Sequence, residues 1–386
     1  MSALAGALLA LVLVAGLVAL AELAARWSVR RAGRYYRYAP YWRTRKDFDV
    51  AHLPQFPPTT WTEINAEGER GDPPPRPGER VFRGLVIGGS AAECIYLDQG
   101  GTWGAVVQRL LGTAEHRAAL GGFTGVHVGN VSRAIVPCEQ LAFMMRKMLP
   151  RYGRLDLILV MVGAADLLSW LERGAPKTIA SGAFSIDKIF EQHPEGPFGW
   201  SRRRMALRRL AGNLHRRLRR PVHVEADASG WLSRARAMRA AAPHRVDVAP
   251  DATGMLAHFE RHLTELLAFT KASGARVILI RQPWFAPPHS AAEEAQMWNF
   301  GLGRPYREKV DSYYTGRVVD ELMRRVDACA AAVASAAGVE QIDLMPQLTR
   351  SARTFYDELH FTPEGAETVG RIVAAAVLQG HARAPG

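Results

Sequence analysis

Hydrophobic and polar positions along this chain follow two alternating patterns. The run 155–162 is continuously apolar, as is typical of a strand buried on both faces. The segment 102–111 instead places its apolar residues on one side of a helix. Further strands are predicted at 83–87, 126–128, 276–280 and 341–344, and further helices at 139–149, 255–273, 323–337 and in a closing segment that contains Val369, Ile372, Val373 and Val377. Strands that alternate with helices predict a parallel sheet covered by helices on both faces.

The alternation is interrupted between about 170 and 250, which predicts an insertion. With 386 residues the chain is long enough for one large domain that carries such an insertion. Its composition is ordinary for a folded protein, with 48% hydrophobic and 22% charged residues. We therefore predict an anchor at 1–25, a basic, aromatic and Pro-rich lead-in at 26–80, and a main domain at 81–386 with an Arg-rich insertion.

The first part of the chain has the composition of a membrane-spanning helix. Residues 3–21 are uncharged and almost wholly Ala, Leu, Val and Gly, and roughly 20 such residues cross a bilayer as a helix. A cleaved signal peptide is the competing interpretation, but no Lys or Arg precedes the apolar run. We predict an uncleaved, single-pass membrane anchor.

Basic and aromatic residues follow the anchor between 26 and 46. Arginines interleaved with Tyr and Trp are typical of a collar at the lipid headgroups, and a plain surface linker is the alternative. The positive-inside rule would place the globular part in the cytoplasm. Prolines between 46 and 80, Pro77 among them, predict an extended segment that packs on the main domain.

A second basic segment, Arg202–Arg220, accounts for part of the formal net charge of +12. Its leucines fall on one helical face and are Leu207, Leu210, Leu214 and Leu218. A basic amphipathic helix can lie on an anionic membrane or bind a polyanion. The alternative is a solvated helix whose leucines pack on the body of the protein. Nucleic acid is an unlikely partner, because no motif that reads nucleic acid accompanies the charge.

Cysteine and histidine spacing indicates neither a disulfide framework nor a metal site. The cysteines are Cys94, Cys138 and Cys329, an odd and small number. Cys94 lies near a candidate nucleophile, but a small buried residue is the favoured interpretation. The histidines show no spacing such as HExxH, so no metal is predicted, and no cofactor either.

Two distant segments carry residues for nucleophilic catalysis. Ser90 follows the apolar run of the first strand, at the strand end where open α/β sheets bind ligands. A serine hydroxyl needs an imidazole within hydrogen-bond reach, and the imidazole needs an acceptor on its other nitrogen. His360 and Asp357, three positions apart on one loop, can meet both needs.

Four motifs in this order resemble the blocks of the SGNH (GDSL-type) hydrolase family, from about residue 61 to the C-terminus. They are Gly88-Gly89-Ser90, Val128–Arg133, Val162–Asp166 and Asp357–His360, and the upstream segment Ile64–Gly71 is similar to a lead-in of some bacterial members. The resemblance implies a three-layer α/β/α sandwich with a flavodoxin-like parallel sheet. It also implies Ser90 as nucleophile, His360 as general base and Asp357 as the group that orients it.

The resemblance weakens at the groups that would stabilise an oxyanion. The family's second donor is a glycine N–H, and its position here falls at Ala134 or Ile135. The third is an asparagine side chain, and the matching residue is Ala165. Loss of one donor typically lowers the rate by about 10²–10³. Substitutes from the second block are Asn130, Ser132 and Arg133, although an ion pair with a local carboxylate is the favoured interpretation of Arg133.

Four further residues near these blocks invite structural interpretations. Asp98 and Gln99 are predicted to cap the helix that follows them. Asp166 is predicted to hold its loop by hydrogen bonds. Glu93 suits either a contact with substrate or a carboxylate at a helix start.

The resemblance implies a membrane-anchored bacterial serine esterase that acts on an O-acyl ester of a carbohydrate or lipid-linked sugar. The inner membrane is then the expected location, and the side stays open because many bacterial hydrolases of this kind face outward. A degenerate domain that binds a glycan or a partner without turnover is the alternative, since Ala165 offers no donor. A membrane-associated scaffold built on Arg202–Arg220 is a third interpretation.

Overall fold

Helices and strands alternate through most of the chain, in a computed structural model that describes residues 3–76 and 78–383. Pro77 of the predicted lead-in, and residues 1–2 and 384–386 of the predicted anchor and domain, lie outside the described residues. The strands are β1 (Arg43–Asp47), β2 (Thr59–Glu63), β3 (Val81–Gly88), β4 (Gly125–Asn130), β5 (Leu157–Met161), β6 (His223–Glu225), β7 (His244–Val246), β8 (Arg276–Arg281), β9 (Ser312–Tyr314) and β10 (Glu340–Asp343). The helices are α1 (Ala3–Ala32), α2 (Ser90–Glu93), α3 (Trp103–Leu111), α4 (Ala114–Ala119), α5 (Cys138–Met148), α6 (Ala164–Leu171), α7 (Ile186–Ile189), α8 (Ala206–Arg219), α9 (Gly230–Ala240), α10 (Thr253–Ala272), α11 (Ala291–Glu294), α12 (Gly316–Ala336) and α13 (Pro363–Arg383).

A parallel sheet with the strand order β10-β8-β5-β3-β4 lies at the centre of the fold. Its first strand in sequence, β3, lies inside the sheet, so the chain builds one edge and then winds back toward the other. This is the flavodoxin-like order, in which ligands bind at the carboxyl ends of the strands beside the point where the winding reverses. The predicted α/β fold class is confirmed.

Helices cover both faces of this sheet. One face packs against α5, α6, α10 and α12, and the other against α3 and α13. Every residue of β5 is buried, which explains its unbroken apolar sequence. The arrangement is a three-layer α/β/α sandwich.

The core elements lie where the hydrophobic pattern predicts them, and some are longer. Helix α12 begins at Gly316 rather than at 323, because Thr315 caps it by accepting a hydrogen bond from the N–H of Val318. Strand β4 continues to Asn130, where it meets the second motif block.

The lead-in and the insertion share a small sheet that the sequence pattern does not predict. Strands β1 and β2 form an antiparallel pair, and β6 from the insertion joins β1 in parallel, with Thr44 opposite His223. The lead-in is therefore extended, as predicted, but it is also hydrogen-bonded to the insertion. The boundaries of the predicted regions stay a prediction.

Helix α1 has the length and mean hydropathy of a membrane span, and its apolar part is not buried within the protein. Just after the apolar run 3–21, Glu22 is completely buried and accepts hydrogen bonds from the N–H groups of Ala206 and Leu207, at the start of α8. Helix α8 is the predicted basic helix. Its Leu214 and Leu218 are exposed, so the interpretation in which all its leucines pack on the body is wrong for these two.

Candidate active site

Ser90 stands on the sharp turn that joins β3 to α2, at the carboxyl end of a strand inside the central sheet. Only glycine fits at the start of this turn. A Cβ on Gly88 would lie 2.2 Å from the Met161 carbonyl oxygen and 2.8 Å from the Ala92 Cβ. The turn is therefore pressed against the end of β5, and the side chain of Ser90 is left partly exposed.

A buried arginine fixes the segment that follows Ser90. The guanidinium of Arg70 donates to the carbonyl oxygens of Glu93, Cys94 and Leu97, at 2.7, 2.8 and 2.5 Å. These acceptors belong to the end of α2 and the turn after it. Arg70 lies in the upstream segment 64–71 that resembles the family's lead-in, but no role follows from the sequence, because its partners are visible only in three dimensions.

His360 and Asp357 are locked together by their own loop. Asp357 Oδ1 accepts the backbone N–H groups of Leu359 and His360, each at 2.9 Å, and Oδ2 accepts from His360 Nδ1 at 2.7 Å. The indole N–H of Trp298 donates to the same Oδ2 at 2.7 Å. With Nδ1 fixed as the donor, the imidazole presents Nε2 as an acceptor.

The structure brings the two distant segments into contact. His360 Nε2 lies 2.7 Å from Ser90 Oγ, so hydroxyl, imidazole and carboxylate form one hydrogen-bonded row. Asp357 is fully buried, and the His360 side chain is 12% exposed. This arrangement can transfer the serine proton to the imidazole while the carboxylate stabilises the cation that forms.

The ionisation of the pair favours this chemistry. Burial raises the pKa of Asp357, but the charge of His360 and the hydrogen bonds that the carboxylate accepts lower it more, so the net shift is downward. Burial lowers the pKa of His360, but the charge of Asp357 and the hydrogen bond to it outweigh burial, so the net shift is upward. A raised imidazole pKa makes a stronger base for the Ser90 proton.

The backbone at Ser90 offers one N–H group that is free to donate to a ligand. Within the described residues, the N–H of Ser90 donates to no acceptor. The N–H of Ala134, one of the two positions for the missing family glycine, donates to Glu93 Oε2 at 2.6 Å and is thereby occupied. At the other position, Ile135 has a left-handed φ of 59°, and its N–H has no acceptor in the part of the chain that is described.

The predicted substitute donors of the second block have other contacts. Asn130 is buried, and its amide donates to the Ala92 carbonyl at 2.7 Å, which ties the second block to the serine turn rather than to a substrate. The Arg133 side chain is 40% exposed and lies 3.9 Å from Glu191, in keeping with the interpretation as an ion pair. Ser132 is buried, and its hydroxyl has no hydrogen-bond partner within the described residues.

Ala165 lies beside the serine turn, in the first turn of α6. A Cβ built on Gly89 would be 3.5 Å from the Ala165 Cβ. The position of the family asparagine is thus next to the candidate nucleophile, but it carries a methyl group that can donate no hydrogen bond.

Neighbouring acidic residues hold the framework together. Asp166 accepts the N–H of Cys138 at the start of α5, at 2.9 and 3.1 Å, as predicted for a loop-holding residue, and burial raises its pKa to about 7. Glu93 is buried and accepts from Ala134 and from the hydroxyl of Tyr38, so its interpretation as a substrate contact is not favoured. Tyr38 is a further residue that the sequence does not indicate.

The capping predicted for Asp98 and Gln99 is wrong. Thr102 caps α3 by accepting from the N–H of Ala105. Asp98 and Gln99 instead accept backbone N–H groups of β2, which brings the lead-in against the main sheet domain. Cys94 is buried, and burial raises its pKa to about 12, so its thiol is not an activated nucleophile.

Three kinds of comparison relate this chain to known proteins. A scan against protein-family models finds no match, and a search of curated proteins finds none. Among solved structures, the chain is similar to a lipolytic protein of the G-D-S-L family from Veillonella parvula, with 11% identity, 78% of this chain and 100% of that chain covered, and a TM-score of 0.38.

It is also similar to a lipase/acylhydrolase from Enterococcus faecalis, with 15% identity, 78% and 96% coverage, and a TM-score of 0.38. A third structure is the acetylxylan esterase Axe2 from Geobacillus stearothermophilus, with 14% identity, 78% and 94% coverage, and a TM-score of 0.37. The family that the four motifs resemble therefore also appears among the structural matches.

Proposed function

We propose that this protein is a serine esterase of the SGNH type that hydrolyses an O-acyl ester, with Ser90 as nucleophile. The observation that carries the proposal is the row Ser90 Oγ, His360 Nε2, His360 Nδ1 and Asp357 Oδ2, with both contacts at 2.7 Å. Two segments far apart in sequence meet in this geometry, at a partly exposed strand end where a substrate can reach Ser90.

The chemistry follows from these positions. His360 takes the proton of Ser90 as Oγ attacks the acyl carbonyl carbon, and the C=O electrons move to the oxygen, near the free N–H of Ser90. The oxyanion electrons then reform the carbonyl, the bond between the acyl carbon and the alcohol oxygen breaks, and His360 donates its proton to that oxygen, so the alcohol departs and the acyl group stays on Ser90. Water attacks this acyl-enzyme with His360 again as base, and the carboxylic acid and free Ser90 are restored.

Few groups near Ser90 can donate a hydrogen bond to an oxyanion, which predicts slow hydrolysis. Ala165 replaces a side-chain donor, and the N–H of Ala134 is occupied by Glu93. Since one donor contributes about 10²–10³ in rate, the N–H of Ser90, helped at most by that of Ile135, supports modest turnover. The substrate class we propose is an acylated carbohydrate or lipid-linked sugar.

The same proposal includes a membrane anchor. Helix α1 is long and apolar enough to span a bilayer. The first N–H groups of helix α8 donate to Glu22 of α1. Leu214 and Leu218 of α8 are exposed among its arginines. A basic helix with exposed leucines beside the end of a membrane span suits an anionic lipid surface. A cleaved signal sequence is the competing interpretation of α1.

Labelling with a fluorophosphonate probe tests the nucleophile. We expect the full-length protein to be labelled and Ser90→Ala not to be, while Ser201→Ala, which removes an exposed serine, keeps full labelling. Asp357→Asn should label much more slowly, because the imidazole loses its orienting acceptor. Absent labelling of a folded wild-type protein, alongside a labelled control esterase, would end the esterase proposal.

A second candidate is a glycan- or partner-binding domain without turnover. The methyl group of Ala165 beside Ser90 is the observation that favours it. In that case the folded protein would bind an acetylated polysaccharide with the same affinity before and after Ser90→Ala, and no acetate would be released. Acetate release that depends on Ser90 excludes this candidate.

A further inference from the structure

Helix α10 carries two histidines one turn apart that face a carboxylate on α5. His258 and His262 are four positions apart, which places both side chains on one face of the helix. His258 Nε2 lies 3.3 Å from Glu139 Oε2, and His262 Nε2 lies 3.8 Å from Glu139 Oε1. The ligand-type atoms of the three residues all lie within 4.8 Å of one another.

Hydrogen bonding does not account for the position of His262. His262 is 9% exposed, yet its Nε2 has no hydrogen-bond partner in the described part of the chain. A buried ring nitrogen without a partner, aimed at a carboxylate, needs an explanation.

The positions match the coordination shell of a zinc ion. Tetrahedral zinc holds N and O ligands at about 2.0–2.1 Å, which puts the ligand atoms roughly 3.3–3.4 Å from one another. The distances of 3.3 Å to Oε2 and 3.8 Å to Oε1 of Glu139 approach this value, and the two imidazole rings have centroids 4.5 Å apart. Side-chain rotations that bring the three ligand atoms closer together would complete the set.

The outer contact of His262 suits a metal ligand, whereas that of His258 has to change. His262 Nδ1 lies 3.3 Å from Glu265 Oε2, so its N–H can point to that carboxylate and leave Nε2 free for a cation. Glu139 Oε1 accepts the N–H of Gly182 at 3.2 Å. Arg261 lies 3.3 Å from His258 Nδ1, and this exposed side chain must swing away when Nδ1 carries a proton.

The charges around the cluster allow a divalent cation. Arg146 is paired with Glu265, and this carboxylate offsets its charge. Glu139 and His258 also line a cavity of about 250 Å³ between α5, α6, α10 and the loop 176–184. This cavity gives a fourth ligand, such as water or a small anion, room to bind.

We propose that Glu139, His258 and His262 bind a divalent transition-metal ion of the zinc class, with an open coordination position facing the cavity. The site is separate from Ser90 and joins α5 to α10 on one face of the sheet. Two neutral imidazoles and one carboxylate are the donors that Zn²⁺ takes in sites with an exchangeable fourth ligand.

Metal titration of the full-length protein in detergent tests the proposal. After treatment with a chelator, we expect calorimetry to show one Zn²⁺ bound per chain, and Co²⁺ to give the visible absorption of a tetrahedral site. His258→Gln and His262→Gln should each weaken binding by at least about 10–100-fold, since even outer partners of a metal matter that much. His215→Gln, which removes an exposed histidine of α8, should change nothing.

Several outcomes would overturn the proposal. They are wild-type protein that binds no Zn²⁺, Zn²⁺ bound equally by wild type and both variants, or a Co²⁺ spectrum without tetrahedral bands. Should the histidine variants fail to fold, Glu139→Gln and the wild-type Co²⁺ spectrum decide, because neither depends on those variants. Wild-type melting temperature must also rise with Zn²⁺ above the dissociation constant. Fluorophosphonate labelling of Ser90 is read separately, so its failure leaves the metal result intact.

Discussion

Replacing Ala165 with asparagine should accelerate ester hydrolysis by this protein. Ala165 stands in the first turn of α6, and its Cβ would be 3.5 Å from a Cβ on Gly89, the residue before Ser90. An amide built on Ala165 therefore begins beside the nucleophile. Ala165→Asn would add a neutral donor where the oxyanion of the tetrahedral intermediate forms.

The expected gain follows from the value of one such donor. A side-chain donor in an oxyanion site contributes about 10²–10³ in kcat, or about 2.7–4 kcal/mol of transition-state stabilisation. Because the amide is placed by a helix rather than selected for this substrate, we expect the lower end, about 10²-fold. The helix itself should lose no more than about 0.7 kcal/mol, since Asn is a weaker helix former than Ala.

Steady-state hydrolysis of a soluble aryl acetate measures this effect. The gain should appear in kcat with little change in KM, because the amide contacts the transition state more than the substrate. Ala165→Leu is the matched control, with the same branched arrangement of four side-chain heavy atoms as Asn but without a donor, and should show no gain. Equal kcat values for the Asn and Leu variants, with Ser90 still labelled by fluorophosphonate, would refute the reasoning.

Three further predictions follow from the site and its framework. Activity should be lost as the pH falls through the pKa of His360, because the imidazole must be neutral to accept a proton; the midpoint should lie above 6.5, and Asp357→Asn should lower both this midpoint and, by about 10⁴, the rate. An acid limb unchanged in that variant would contradict the pairing. Gly88→Ala should reduce the free energy of unfolding in urea by at least about 2 kcal/mol, because its methyl would collide with a carbonyl of β5, whereas Gly100→Ala, with open space around it, should be near neutral. Glu22→Ala should cost about 1 kcal/mol and speed amide exchange at the start of α8, and unchanged exchange there would exclude the capping role.

The central sheet could be predicted because burial leaves a local imprint on the sequence. Strand β5 is apolar throughout since both of its faces are covered, and α10 shows its buried face at helical spacing. Strand β6 leaves no such imprint. It has only three residues, mostly exposed, and its partner β1 lies far away in the chain, so nothing local marks the pairing.

The candidate site likewise contains residues that the sequence reveals and residues that it does not. Ser90, Asp357 and His360 could be found from sequence because each stands in a short motif whose chemistry is local. Arg70 and Tyr38 could not be found in this way. Arg70 donates to a backbone carbonyl and Tyr38 to a carboxylate, and only the fold brings these acceptors near.

The contacts of Asp98 and Gln99 are hidden from the sequence for a related reason. Their position before a helix predicts capping, but the N–H groups that donate to them belong to β2, a distant element.

The histidine pair of α10 is visible in the sequence only in part. His258 and His262 stand four positions apart, a spacing that puts both side chains on one helix face. The third residue of the proposed metal site, Glu139, comes from a different helix, so no local motif such as HExxH contains all three. The cluster is recognised only when the helices are packed.

The carboxylate of Glu22 has a mechanical consequence. By accepting the first N–H groups of α8, it ties the apolar helix to the body of the protein through side-chain contacts as well as through the chain. Under the proposed function, with α1 in a bilayer, these contacts would hold Ser90 at a set height above the lipid. Which esters it reaches would then depend on how far they project from the membrane plane.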